Sequence, residues 1–159
     1  MKTLLAAWIA LSVAFSLSAQ EKEEKIDAKN VPDVVMKKFL AFYGDIKKVK
    51  WEKEGNNYQA TFKQNKVKTS VTITADGNII EKEWAIKKGA VPQAVLDSAA
   101  RNFAGFKMEE FSKVEKSGLL SYEIELEGKK DGKEVEYKVY YSADGKMLSK
   151  IEETEEVKK

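Results

Sequence analysis

Between Val31 and Tyr43 the apolar residues fall at every fourth position, Val31, Val35, Phe39 and Tyr43, with Met36 and Leu40 beside them and Lys37 and Lys38 outside the stripe. That spacing predicts an amphipathic helix with one face to bury. Pro32 stands in its first turn, where a missing N–H costs nothing; Asn30 is placed to cap it and Gly44 to end it. Sixty positions on, the plan returns at Val91, Pro92, Val95, Ala99 and Phe103, with Leu96 and Ala100 in place of Met36 and Leu40, and Gly105 behind them. Identity is sparse, but stripe, proline and terminal glycine coincide, which points to an internal repeat.

After each helix the period switches from four to two. Alternation predicts strands at 46–54, 58–63, 67–75 and 78–84 in the first half, and at 107–116, 119–127, 134–143 and 146–153 in the second. "TADGNII" and "SADGKML" place Asp76-Gly77 and Asp144-Gly145 between strands, the signal of a two-residue hairpin with both turn residues at positive φ. The fold class is therefore α+β: a tandem repeat of a helix plus a four-stranded antiparallel meander, over residues 31–86 and 91–153. A unit of about sixty residues is marginal alone, so the halves share either a continuous sheet or a common core.

The same alternation sorts side chains by face. Tyr58, Ala60, Phe62, Val71, Ile73, Tyr122, Ile124, Leu126, Tyr137, Val139 and Tyr141 point toward the helices, and Trp51 shares the parity of Val49. The other face carries Gln59, Thr61, Ser70 and Thr72 in the first half, and Glu123, Glu125, Glu127, Glu136, Lys138 and Tyr140 in the second. No helix remains to cover it. Such a face ordinarily meets water, but here it is Thr-rich in one half and acidic in the other, with one aromatic among the carboxylates. Thr61, Thr72, Glu123, Glu125, Glu136 and Tyr140 are accordingly the candidate partner contacts. Trp84, where the fourth strand leaves the sheet, is added as a contact anchor at the seam.

The ends read differently. Residues 1–19 combine Lys2 with an apolar run from Leu4 to Leu17 and small residues before the charged "QEKEEK". This is the pattern of a secretory signal peptide, with cleavage after Ala19 or Ser18, and it leaves no stable membrane insertion. Residues 20–30 read as a charged, mobile leader and 154–159 as a charged tail.

Composition narrows the chemistry. The formal net charge is +2. Residues 31–84 hold ten lysines against seven carboxylates, and residues 91–159 twelve Lys or Arg against fifteen. No basic stripe of the kind that binds nucleic acid stands out. With no histidine and no cysteine, thiolate and imidazole nucleophiles, disulfides and the usual zinc ligands are excluded. No glycine spacing makes a phosphate loop. Carboxylate pairs such as Glu109-Glu110 or Glu123/Glu125/Glu127 are left as acid and base, and these need a desolvated cleft that a flat sheet face rarely supplies. The expectation is no catalysis and no cofactor.

The paired "VPxxV" helices, their glycine ends and the recurrent "ADG" hairpin resemble the PepSY-like periplasmic proteins, whose fold is similar to β-lactamase-inhibitor protein. The resemblance covers about residues 30–153. It implies two helices on one face of a curved sheet of roughly eight strands, with a concave face in front, export to a bacterial periplasm or beyond, and no enzymatic activity. The namesake inhibitor carries disulfides and an aromatic-rich concave face; this chain has no cysteine and a Thr/Glu-rich face, so no inhibitory residue is carried over. The function expected is a non-catalytic exported binding module, an inhibitor or modulator of another envelope or secreted protein. The alternative is a small-ligand or cation carrier that uses the acidic half.

Overall fold

The computed structural model describes residues 23–153; the segment expected to be a signal peptide, 1–19, and the expected charged tail, 154–159, lie outside the described residues. Helix α1 spans Asp33–Tyr43 and α2 spans Gln93–Asn102. Nine strands, β1 (Glu23–Ile26), β2 (Val49–Glu54), β3 (Asn57–Gln64), β4 (Val67–Thr74), β5 (Ile79–Ala85), β6 (Lys107–Lys116), β7 (Leu119–Lys130), β8 (Lys133–Tyr141) and β9 (Met147–Glu153), form one antiparallel sheet in chain order, and the sheet is not closed.

The sheet has one strand more than the roughly eight expected. The extra strand is β1, drawn from residues read as a mobile leader: Ile26 pairs with Trp51 and packs partly buried against the first core. Behind β1 comes a short 3-10 turn at Ala28–Asn30, and behind β5 a matching one at Lys88–Ala90. Asn30 is therefore not the helix cap. It sits in that turn, and Pro32 takes the cap position of α1 (φ −56, ψ 142), as Pro92 does for α2 (φ −56, ψ 139). Proline fits there because its fixed φ is extended-compatible and its missing N–H has no partner to lose. Gly44 ends α1 at positive φ (74), its N–H donating to the Leu40 carbonyl at 2.9 Å. Gly105 does not end α2: Phe103 is the terminal residue, and Gly105 lies in the turn beyond it.

The Asp-Gly hairpins also differ from expectation. In both, the loop holds three residues: Gly77 N–H donates to Thr74 O and Thr74 N–H to Asn78 O, while Gly145 N–H donates to Ser142 O and Ser142 N–H to Lys146 O. Only the glycine has positive φ, the arrangement of a type I turn followed by a left-handed residue. The genuine two-residue turns with both residues at positive φ are Asn65-Lys66, Ser117-Gly118 and Asp131-Gly132. The last extends β7 and β8 through what reads as a loop, "GKKDGK". After each three-residue hairpin the outgoing strand carries a one-residue bulge, at Ile80 and at Leu148.

Pairing registers put both helices on the same face. Val71 lies opposite Lys82, Lys82 opposite Glu115, and Thr69 is connected in the same way through Trp84 and Lys113 to Tyr122. Two apolar clusters lie beneath the helices. Phe39 reaches Trp51 and Phe62 edge-on, with ring centroids 5.2 Å apart in each pair, over Ala60, Val71 and Ile73. In the second cluster α2 supplies the buried Val95 and Ala99 with Leu96 partly buried beside them, Val91 joins from just before the helix, and the sheet supplies the bulk through Phe111, Ile124, Tyr137, Val139 and Tyr141.

Candidate functional site on the helix-free face

The opposite face is predominantly polar across both halves, with Val114 and Ala85 as apolar members of its cross-strand rows. One transverse row runs Lys50, Thr61, Ser70, Glu83, Val114, Ser121, and another runs Ala85, Ser112, Glu123, Tyr140, Ser149. Thr61 and Ser70 share a hydroxyl hydrogen bond of 3.2 Å. Contrary to the expectation of a wet face, its middle is packed: Ser70, Thr72, Ser112 and Glu123 are all buried, Glu123 with 4% of its surface exposed. Thr72 lies between the longer cross-strand neighbours Gln59 and Glu81, which shield it.

Glu123 is the unusual group. Burial, reinforced by the negative charge of Glu83, pushes its carboxyl up to about 7, against the opposing pull of a hydrogen bond with Tyr140 and of Lys138. Tyr140, directly opposite on β8, is raised in turn by burial and by the Glu123 carboxylate. Glu125, half-buried, is raised by burial while Lys138 across the pair lowers it.

Beside this pair the β6 bulge between Met108 and Phe111 breaks strict alternation, so Glu109 and Glu110 are not separated onto two faces. Both join Glu125, Glu127 and Glu136 in lining an open groove of about 370 Å³. Lys68 reaches across from β4 to Glu110 at 3.0 Å, and Lys107 pairs with Glu109. Lys107 holds the Glu109 carboxyl below its ordinary value. Among the described residues no group of three or more carboxylates is arranged to hold a metal ion.

Of the seven candidate residues, the structure gathers Glu123, Glu125, Glu136 and Tyr140 on adjoining strands β7 and β8, with Thr61 and Thr72 on the same face in the first half. Thr72 and Glu123 are too buried for direct contact. Trp84 is set apart: it does not leave the sheet but pairs with Thr69 and Lys113 on the helix-bearing face, half-buried. It cannot share a surface with the other six. Glu81, Glu83 and Lys68 belong to the site and were not among the candidates. Parity in β4 and β5 could have placed them on this face; their nearness to β6 and β7 depends on the strand order.

A family model described as "Putative beta-lactamase-inhibitor-like, PepSY-like" matches residues 17–81 and again residues 80–149. The chain belongs to this PepSY-like family. The second match opens inside β5, the strand that joins the two halves of the sheet. Among solved structures, the PepSY-like chain is similar to one from Bacteroides eggerthii described as a "putative periplasmic" protein, at 21% identity and a TM-score of 0.65, covering 77% of this chain and 88% of the other. It is similar to a BLIP-like protein of Bacteroides fragilis at 16% identity and TM-score 0.59, over 80% and 91% of the two chains. A DUF2874 family protein of Bacteroides uniformis matches at 17% identity and TM-score 0.63, over 76% and 88%. No curated protein matches. At these identities the structural neighbours establish the fold, and the function has to be argued from the surface.

Proposed function

We propose that this PepSY-like chain is a non-catalytic, exported protein-binding module that docks an envelope or secreted partner on the helix-free face of its sheet. The single observation that carries the proposal is the extent of that face: predominantly polar cross-strand rows overlap to cover it from β2 to β9, interrupted by Ala85 and the buried Val114, with Thr61, Glu125, Glu136 and Tyr140 partly accessible around a packed centre. A pre-packed polar surface loses little side-chain entropy on docking, which favours association. Its acidic half favours a partner segment carrying Lys or Arg, and an inhibitor or modulator role in the envelope follows if that segment borders the partner's own site. The predicted signal peptide and the periplasmic description of one structural neighbour support export to the periplasm. No helix among the described residues is long and apolar enough to cross a membrane.

Capture from a periplasmic extract, comparing wild type with Glu125→Lys/Glu136→Lys, tests this directly. The expected result is loss of one or more specific partners; identical partner lists would remove the face from consideration. The five-carboxylate groove favours one second reading, a carrier of small cationic ligands. Calorimetry with calcium and with spermidine separates the two, since absence of heat at millimolar ligand eliminates the carrier.

A further inference from the structure

The two edges of the sheet differ. β1 is four residues long and reads "EEKI", short and charged, as edges that resist pairing usually are. β9 is seven residues long, with exposed Met147, Leu148 and Ile151, and among the described residues nothing pairs with its outer side.

The backbone groups on that side follow from the turns. Asp131 and Gly132, at φ 53 and 78, form a two-residue turn, so Lys130 and Lys133, which close it, are a hydrogen-bonded pair. Because such pairs alternate along an antiparallel ladder, the odd-numbered residues of β8 bond to β7 and the even-numbered ones bond to β9. The Ser142 N–H donating to the Lys146 carbonyl fits the same alternation. Ile151 and Ser149, opposite Lys138 and Tyr140, therefore direct their N–H and C=O groups toward β8. Lys150 and Glu152 direct theirs to the open edge.

A second copy of β9 approaching antiparallel about a two-fold axis must place outward residues opposite outward residues. Centred on Lys150, that residue faces itself; centred on Glu152, two carboxylates face each other. Centred on Ile151, Lys150 of each copy faces Glu152 of the other, and Ile151 meets Ile151 on the helix-free face. Only this last register makes the cross-strand charges complementary, and it does so twice by symmetry. We propose that β9 pairs with β9 of a second copy about an axis at Ile151, fusing two nine-stranded sheets into one whose helix-free faces are continuous.

Within one chain Lys150 lies over the Tyr137 ring, 4.7 Å from its centroid, and Glu152 accepts from Lys130 at 3.4 Å. Lys150 and Glu152 are exposed residues, so each can serve an intermolecular partner as well.

Sedimentation velocity and light scattering of the mature chain over a range of concentrations test the proposal. Wild type should show a doubling of mass as concentration rises. Lys150→Glu and Glu152→Lys should each weaken the dimer about tenfold or more, as two symmetry-related pairs turn from attractive to repulsive. The double swap Lys150→Glu/Glu152→Lys should restore it, and circular dichroism should report the same fold throughout. A wild type that stays monomeric at every concentration overturns the proposal. So does a dimer indifferent to the single swaps, or one that the double swap fails to rescue.

Discussion

Glu123 is a long acidic side chain almost without access to water, on the face of the sheet that has no helix over it. Its folded pKa of about 7 stands above the ordinary 4.5, so near pH 6 the folded chain holds a proton that the unfolded chain has released. The stabilisation tied to that proton is complete below about pH 4.5 and is lost as pH rises through 7. Glu123→Gln, uncharged at every pH, should therefore gain about 2.5 kcal/mol over wild type between pH 5 and pH 8. Urea midpoints across that range measure the difference, and parallel profiles would show that another group sets the slope. Glycine provides a second residue-scale case. A Cβ on Gly77 would come within 2.7 Å of the Val34 Cγ1, a side-chain end that can turn aside, whereas a Cβ on Gly145 would meet the backbone carbonyl of Ala94, which cannot. Both residues have positive φ. Gly77→Ala should cost about 1–2 kcal/mol for the backbone alone, and Gly145→Ala about 3 kcal/mol or more, by thermal or urea unfolding.

At the scale of elements, the helices bury the same face with opposite allocation of bulk. Helix α1 brings Phe39 against a sheet that offers Ala60 and Ile73; α2 brings Ala99 against a sheet that offers Ile124 and Tyr141. Volume is exchanged across the layer, which is why the two halves agree in pattern and so little in identity. Phe39→Ala, at 2% exposure and in ring contact with Tyr43, Trp51 and Phe62, should cost about 3–5 kcal/mol. Leu40→Ala, one position along but exposed, should cost less than about 1 kcal/mol. Equal losses at the two positions, read from denaturant midpoints, would contradict the packing of α1.

For the whole molecule, β5 is the decisive strand. It pairs with β4 on one side and β6 on the other, and among the described residues no other strand joins the two halves of the ladder. The halves should then unfold as one cooperative unit. With Trp8 removed along with the predicted signal peptide, the remaining tryptophans are Trp51 on β2 and Trp84 on β5, so tryptophan fluorescence reports the first half and its junction with β6. Val139→Ala, fully buried in the second half, should lower stability by about 2 kcal/mol and shift the fluorescence transition together with the far-ultraviolet dichroism. A fluorescence transition left in place would mean that the halves fold independently.

Helix positions, the face of strand residues wherever alternation is unbroken, and the lack of histidine and cysteine are legible in the chain, because periods of four and two and simple composition are local properties. The ninth strand was partly legible: Ile26 stands sixty positions before Ile86, and both pack partly buried against their own core. The high charge of residues 21–30 outweighed that single apolar signal. Asn30 and Gly105 depart from the sequence expectation because cap geometry depends on where the preceding 3-10 turn and the last helical hydrogen bond fall, not on residue type alone. What the sequence could not supply is proximity between strands. Burial of Glu123, the gathering of Glu109 and Glu110 with Glu125 at a bulge, the removal of Trp84 to the helix-bearing face and the outward aim of Lys150 and Glu152 are all set by register and strand order. Those are fixed by hydrogen bonds and side-chain packing between residues far apart in the chain, and only the assembled sheet decides them.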